Sequence, residues 1–291
     1  MFSGSIPALV TPFAAGRVDE EAYRVFVEWQ ITEGSTGLVP CGTTGEVATL
    51  SHEEQHRLFE LTIDQAKGRV PVIAGCGSNN TATAIEHMRV AADMGADAAL
   101  IVLPYYNKPS QAGLLAHFEA LVAASPLPII VYNVPGRTVA DISVETLAEV
   151  AKLPSVIGIK DATGSLGRVT AQRLQCGTDF CQLSGNDETS LGFNAMGGVG
   201  CISVSANVAP RLCAEFQAAC QEGRWDEALV LQDRLYPLHD AMFADASPGP
   251  AKYALSRVQP GFSTEVRLPM TIPSAEAQRV VDAALVHAGL V

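Results

Sequence analysis

Lys160 ends the apolar run Val156-Ile157-Gly158-Ile159-Lys160, and Asp161-Ala162-Thr163-Gly164 follows at once. An amine at the mouth of a buried strand, dried by its neighbours, can lose its proton and attack a carbonyl to form a Schiff base. A free lysine has a pKa of about 10.4, so only about one in 2,500 is neutral at pH 7. Imine formation therefore asks for a depressed pKa, a nearby proton acceptor, or both. Tyr132, in Tyr132-Asn133-Val134-Pro135-Gly136-Arg137-Thr138, brings a phenol that can give or take a proton. Arg137 in the same run brings a fork that grips a carboxylate. In Cys41-Gly42-Thr43-Thr44-Gly45-Glu46, two hydroxyls stand beside backbone that two glycines allow to turn tightly, a cradle for a carboxylate. Each group alone has a plainer reading: a snorkelling lysine, a core tyrosine, a solvated arginine, a common Gly/Thr turn. Every one of them follows an apolar run at the same end, and that conjunction favours chemistry.

The elements that must position these groups alternate along the chain. Short apolar, β-rich runs occur at 5–10, 37–41, 71–75, 98–103, 128–133, 156–160, 180–184 and 200–204, with amphipathic stretches such as 20–33, 52–67, 81–94 and 111–124 between them. Strands alternating with helices pair in parallel through right-handed crossovers. Eight units at intervals of roughly 30 residues predict a (β/α)8 TIM barrel rather than an open doubly wound sheet. Side chains alternate along a strand, so Val156, Gly158 and Lys160 are expected to face the interior and Ile157 and Ile159 the helices. Gly158, two residues below, is expected to leave room for the upright lysine. Tyr132 shares a face with Ile130 and comes to the height of Lys160. Residues 1–223 form the expected barrel. Residues 224–291, with helical patterning at 225–244, a break at Ser247-Pro248-Gly249-Pro250 and two further helices, form a helical extension without a linker.

Composition narrows the class. The 291 residues are 48% hydrophobic and 17% charged, enough for a sizeable core. A net charge of -12 disfavours nucleic acid and anionic membrane, and it opposes an anionic substrate unless local donors bind it. No apolar run is long enough to span a bilayer, and the start lacks the pattern of a signal peptide. Seven scattered cysteines with no Cys-x-x-Cys pair read as free thiols in a reducing cytoplasm.

Some motifs mislead. His52-Glu53-Glu54-Gln55-His56 matches the letters of a zinc-protease helix. Ser51 and Glu54 make it a capping box at a helix start, and no third ligand motif follows, so no metal is expected. Gly75-Cys76-Gly77 begins like a dinucleotide fingerprint, but Asn80 stands where the third glycine belongs. No phosphate loop occurs, and the expectation is an enzyme without a cofactor. Histidines 87, 117, 239 and 287 look isolated.

Gly42-Thr43-Thr44-Gly45-Glu46, Tyr132-Asn133-Val134-Pro135-Gly136-Arg137-Thr138 and Gly158-Ile159-Lys160-Asp161-Ala162-Thr163, in that order, resemble the signatures of the 4-hydroxy-tetrahydrodipicolinate synthase family, the older dihydrodipicolinate synthases, within the Schiff-base aldolases. The similarity runs from Gly4-Ser5-Ile6 to Leu268-Pro269-Met270-Thr271, essentially the whole chain. The resemblance implies a TIM barrel with a C-terminal helical domain, in a homotetramer built as a dimer of tight dimers, with a dimer as the smaller possibility. It implies condensation of pyruvate with aspartate semialdehyde in lysine and diaminopimelate synthesis. Carried over by motif, Lys160 forms the imine with pyruvate and Tyr132 shuttles protons. Thr43 links Tyr132 to Tyr106, which reaches in from the neighbouring subunit. Thr43 and Thr44 hold the pyruvate carboxylate and Arg137 that of the semialdehyde, while Gly185 and Ile202 line the pocket largely through backbone.

The resemblance also implies a lysine-binding inhibitory site, for which Asn79, Tyr105 and His52 align with contact positions. Thr83 stands where a carboxylate would hold the lysine α-amino group, Gln55 replaces a histidine and Val47 a small polar residue. Losing a charge-assisted hydrogen bond costs about 1.5–3 kcal/mol, roughly ten- to a hundredfold in affinity, so inhibition by lysine is expected to be weak or absent. Related aldolases acting on sialic acid or 2-keto-3-deoxy sugar acids share the lysine and tyrosine. Arg137 favours the short, carboxylate-bearing aldehyde over theirs. A barrel that senses a keto acid without turning it over has no need of Lys160, Tyr132, Thr43, Tyr106 and Arg137 together.

Overall fold

A computed structural model of the chain describes residues 2–291. Its strands are β1 (Gly4–Pro7), a small antiparallel pair β2 (Phe13–Ala14) and β3 (Arg17–Val18), then β4 (Ile73–Gly75), β5 (Ala98–Val102), β6 (Ile129–Asn133), β7 (Val156–Asp161), β8 (Cys181–Ser184) and β9 (Gly200–Ser203). Seven of them form one parallel sheet in the order β1-β9-β8-β7-β6-β5-β4. Between and after them run α1 (Glu20–Thr32), α2 (His52–Ala66), α3 (Thr81–Met94), α4 (Gln111–Ala124), α5 (Pro135–Thr138), α6 (Val144–Val150), α7 (Gly167–Cys176), α8 (Ser190–Ala195) and α9 (Pro210–Gln221). Three more, α10 (Trp225–Ala241), α11 (Gly249–Val258) and α12 (Ala275–Ala288), complete the chain.

The starts of the helices are written into the sequence. Asp19, Ser51, Asn80, Ser110, Ser143 and Ser274 each accept a hydrogen bond from a free N–H of the first turn of α1, α2, α3, α4, α6 and α12. Both halves of the capping box are present, Ser51 Oγ accepting from Glu54 N and Glu54 Oε2 from Ser51 N.

Two apolar layers flank the sheet. Ile6, Ile73, Leu100, Ile130, Leu183 and Ile202 form an inner cluster. Ala99, Ile101, Ile129, Val131 and Ile159 alternate with them to join the helix-side cluster. Removing one such leucine or isoleucine from water is worth about 1.5–3 kcal/mol. Leu235, Leu255 and Leu285 of the last three helices belong to the same outer cluster as Val27 and Phe216, so the C-terminal helices share one continuous core with the sheet.

Two expectations about strands are corrected. Residues 37–41 do not form a continuous strand: Val39 bridges Ala8 and Leu38 bridges Val72, each as an isolated parallel pair. Pro40 has no N–H to donate, although its carbonyl still accepts from Gly75 N at 3.0 Å, and Cys41 turns to φ +55°, which ends the extended run. The alternation expected on β7 is also broken. Ile129 pairs with Val156 but Ile130 pairs with Gly158, a bulge that inserts one extra residue. Val156 therefore joins the helix-side cluster and Ile157 packs against the inner one, the reverse of strict alternation. Above the bulge, Gly158, Ile159 and Lys160 recover the expected faces.

Candidate active site

Lys160 and Tyr132 are register partners on β7 and β6, one residue before each strand ends. The lysine Nζ lies 4.2 Å from the centre of the tyrosine ring. Both side chains are buried, 6% and 7% exposed, so an amine and a phenol meet in a largely water-free space. At this distance the ring face attracts a cation through its quadrupole. Leu183 on β8 pairs with Lys160 on its other side, and Ile202 on β9 is fully buried in the same inner layer.

Room for the lysine comes from Gly185, not from Gly158 as expected. A β-carbon at Gly158 would meet the Cys181 carbonyl oxygen at 2.4 Å, so that glycine serves strand contact. A β-carbon at Gly185 would stand 3.1 Å from Lys160 Cε and 2.6 Å from Ala162 Cβ. Gly185 is held there by its N–H, which donates to Asp161 O at 2.7 Å.

Thr43 and Thr44 occupy a 3-10 turn, Thr43–Gly45, whose carbonyl at Gly45 accepts from Thr11 Oγ1 at 2.8 Å. Thr44 is buried and Thr43 exposed. Thr43 lines a cavity of about 450 Å³ with Gln55, Thr83, His87, Tyr105 and Arg137. His52 and Val47 stand on the same wall, which carries no carboxylate among the described residues. Lys160, Tyr132, Thr44, Gly185, Ile202, Asn79 and Tyr106 are not among its lining residues. Asn79 instead accepts through its carbonyl from Asn107 Nδ2 at 2.8 Å, tying its loop to the Tyr105–Tyr106 loop. Tyr106 has φ +71° and is 89% exposed, standing clear of the rest of the chain.

His87 is not isolated. Its Nδ1 lies 3.0 Å from His56 Nε2, and its ring meets that of His52 edge-on at 4.6 Å. Burial first, then His52 and His56, pushes its pKa down to about 4. No group of three or more His, Cys, Asp or Glu side chains among the described residues is arranged to hold a metal ion.

Two networks around the site have no sequence signal beyond single letters. Glu46, in the left-handed region at φ +59°, accepts from Lys252 Nζ at 2.8 Å and from Arg267 N at 2.9 Å. The Lys252 and Glu46 side chains are 0% and 2% exposed, and Lys252 also donates to Glu265 O. Desolvation lowers the Lys252 pKa, while the Glu46 carboxylate resists that shift. Arg267 grips Glu54 with both arms at 2.6 and 2.7 Å, holding that carboxyl below its usual range. The second network joins Asn133 and Asp161, the residues after Tyr132 and Lys160, through Asp141 and Arg168. Partners 206 positions apart, such as Glu46 and Lys252, cannot be matched without the fold.

Residues 1–288 match the dihydrodipicolinate synthetase family. The chain belongs to that family. The 4-hydroxy-tetrahydrodipicolinate synthase of Rhizorhabdus wittichii is 65% identical to this family member over 290 residues, covering all of both chains. That of Zymomonas mobilis is 62% identical over 291 residues, again covering both. Among solved structures, the chloride-inhibited dihydrodipicolinate synthase of Acinetobacter baumannii complexed with pyruvate superposes with a TM-score of 0.97 at 41% identity, over the full length of both chains. Among the described residues of this family member, no helix is long and apolar enough to cross a membrane.

Proposed function

We propose that the chain is a pyruvate-dependent Schiff-base lyase that joins pyruvate to aspartate 4-semialdehyde, giving 4-hydroxy-tetrahydrodipicolinate for lysine and diaminopimelate synthesis. The observation that carries this reading is the buried pairing of Lys160 with Tyr132, amine over phenol at 4.2 Å. The Lys160 amine attacks the ketone carbon of pyruvate, and water leaves to give a cationic imine. That nitrogen is an electron sink, so the pyruvate methyl loses a proton and becomes an enamine nucleophile toward the aldehyde. Tyr132 would pass the protons of imine formation and cyclisation, with Thr43 and the Tyr106 of a neighbouring subunit as its relay. Thr43 and Thr44 suit the pyruvate carboxylate, and Arg137 that of the semialdehyde. Gly185 and Ile202 would shape the wall around the imine.

Incubation with pyruvate and borohydride, followed by protein mass, tests the imine. A mass increase on Lys160 is expected, and its absence would leave a keto-acid-binding barrel without turnover. Product from aspartate semialdehyde but not cleavage of sialic acid is expected to follow; the opposite pattern would assign the chain to the sugar-acid lyases.

Several finer readings accompany this one. The bridges of Val39 and Leu38 to the two edges of the sheet support a closed eight-stranded barrel, with 37–40 as an irregular stave. Residues 224–291 read as a helical extension of it. The exposed Tyr106, and the exposed stripe of Trp225, Leu229, Tyr236 and Phe243 along and just beyond α10, support a dimer of tight dimers in which Tyr106 acts across an interface. Mixing Lys160→Arg and Tyr106→Phe chains should restore activity in mixed dimers, and no recovery would keep Tyr106 in its own subunit. Seven free thiols suit a cytoplasmic protein. Lysine is read as a weak inhibitor at most, through His52, Tyr105 and Asn79, because the cavity wall beside Thr83 carries no carboxylate. Strong inhibition at submillimolar lysine would overturn that.

A further inference from the structure

The ends of β6 and β7 are joined on their outer side by side chains. Asn133 and Asp161 are register partners, each one residue beyond Tyr132 and Lys160, so they face away from the reacting pair. Asn133 Nδ2 donates to Asp141 Oδ1 at 2.7 Å. Arg168, on α7, sets Nη1 at 3.5 Å from that oxygen and Nε at 3.4 Å from Asp161 Oδ2. Its Nη2 donates to Ile142 O at 2.6 Å, which fixes the fork between the two loops. Asp161 is held in turn: Thr163 donates to Oδ1 through N at 2.9 Å and Oγ1 at 2.6 Å, and Gln172 Nε2 donates to Oδ2 at 2.7 Å. The Arg168 side chain is 16% exposed and that of Asp161 3%, so these charges are little screened.

We propose that Arg168 is a positioning residue for the chemistry at Lys160. One planar guanidinium forms ion pairs with two carboxylates, Asp161 at the end of β7 and Asp141 in the loop after β6, and its rigid fork sets both directions together. It thereby fixes the angle between the tips of β6 and β7, and with it the approach of the Lys160 amine to the Tyr132 phenol. Arg168 touches neither reacting group; it acts through Asp161 and through Asp141 and Asn133. The assignment rests on Lys160 as the imine-forming amine.

The test follows the rate of borohydride trapping with pyruvate, its pH profile, and kcat against KM, with thermal unfolding as the fold control. Arg168→Met should slow trapping and kcat by roughly 10²-fold, the usual effect of a displacement near 1 Å, with KM for pyruvate little changed. Its pH profile should shift, because proton transfer between amine and phenol depends on their separation. Asp141→Asn, at a half-exposed side chain and so tolerant of change, should slow the same step by less. Combined with Arg168→Met it should add nothing further, because both break one strap. Arg168→Lys should recover part of the rate. Wild-type trapping in Arg168→Met, a loss that only follows the unfolded fraction, or losses that multiply in the double variant would each overturn the assignment. A wild-type chain that never traps pyruvate would instead overturn the imine at Lys160.

Discussion

Gly185 governs how far the Lys160 side chain can extend, because any β-carbon there falls 3.1 Å from Lys160 Cε. Gly185→Ala is therefore expected to push the lysine off its line and to slow pyruvate trapping by roughly 10²-fold, while overpacking costs about 1–3 kcal/mol of stability. Normal trapping in a folded Gly185→Ala protein would show that the lysine does not need that space. Lys160→Arg should abolish trapping, since a guanidinium stays protonated and forms no imine. Tyr132→Phe keeps the ring that covers the amine and loses only the hydroxyl. It should fold normally and turn over roughly 10²–10⁴-fold more slowly, the usual worth of a positioned acid–base group. Unchanged turnover would remove the phenol from the proton path.

At the scale of elements, one buried ion pair connects the Thr43–Gly45 turn to a distant helix. Glu46 closes the 3-10 turn that carries Thr43 and Thr44, and Lys252 sits in the middle of α11. Lys252→Met leaves the Glu46 carboxylate buried without its partner, and that is expected to cost about 3–5 kcal/mol. Replacing both, as Glu46→Gln with Lys252→Met, should recover much of the loss. Denaturant titration of the three variants checks this, and additive losses would show that the pair is not coupled. The bulge on β7 works at the same scale. It adds a residue below Gly158 and so restores Lys160 to the inner face while Val156 packs on the helices.

Across the whole molecule, a charge of -12 repels anions, while Arg137 stands on a cavity wall that carries no carboxylate among the described residues. Burial also sets the response to acid. His87 and His117 are both held down to about 4, chiefly by desolvation, against about 6.5 when unfolded. Above pH 6.5 both states are neutral there, and the full stability is present. Between about 6.5 and 4 the unfolded chain takes up protons that the folded one refuses, so stability falls with pH and levels below 4. Each group contributes a slope of up to about 1.4 kcal/mol per pH unit within that window. Urea titrations from pH 7 to 4 should show the fall, and His87→Gln or His117→Gln should each make it shallower. An unchanged slope in both variants would place the acid sensitivity elsewhere.

Much of this was legible in the chain because its signals are local. The apolar run ending at Lys160, the matching run ending at Tyr132, and the Ser51 helix start all depend on neighbours within a few residues, which periodicity and capping chemistry can read. The parallel pairing of the strands follows from the alternation of strand and helix along the chain. What only the tertiary structure decided depends on atoms brought together from far apart. The bulge at Val156 arises from pairing with Ile129. Whether Gly158 or Gly185 makes space for the lysine depends on which backbone stands opposite each. His87 meets His56 across two helices, Glu46 meets Lys252 across most of the chain, and Arg168 spans two loops. Side-chain charge and length are written residue by residue, but the partner that satisfies a buried charge is chosen only when the chain closes on itself.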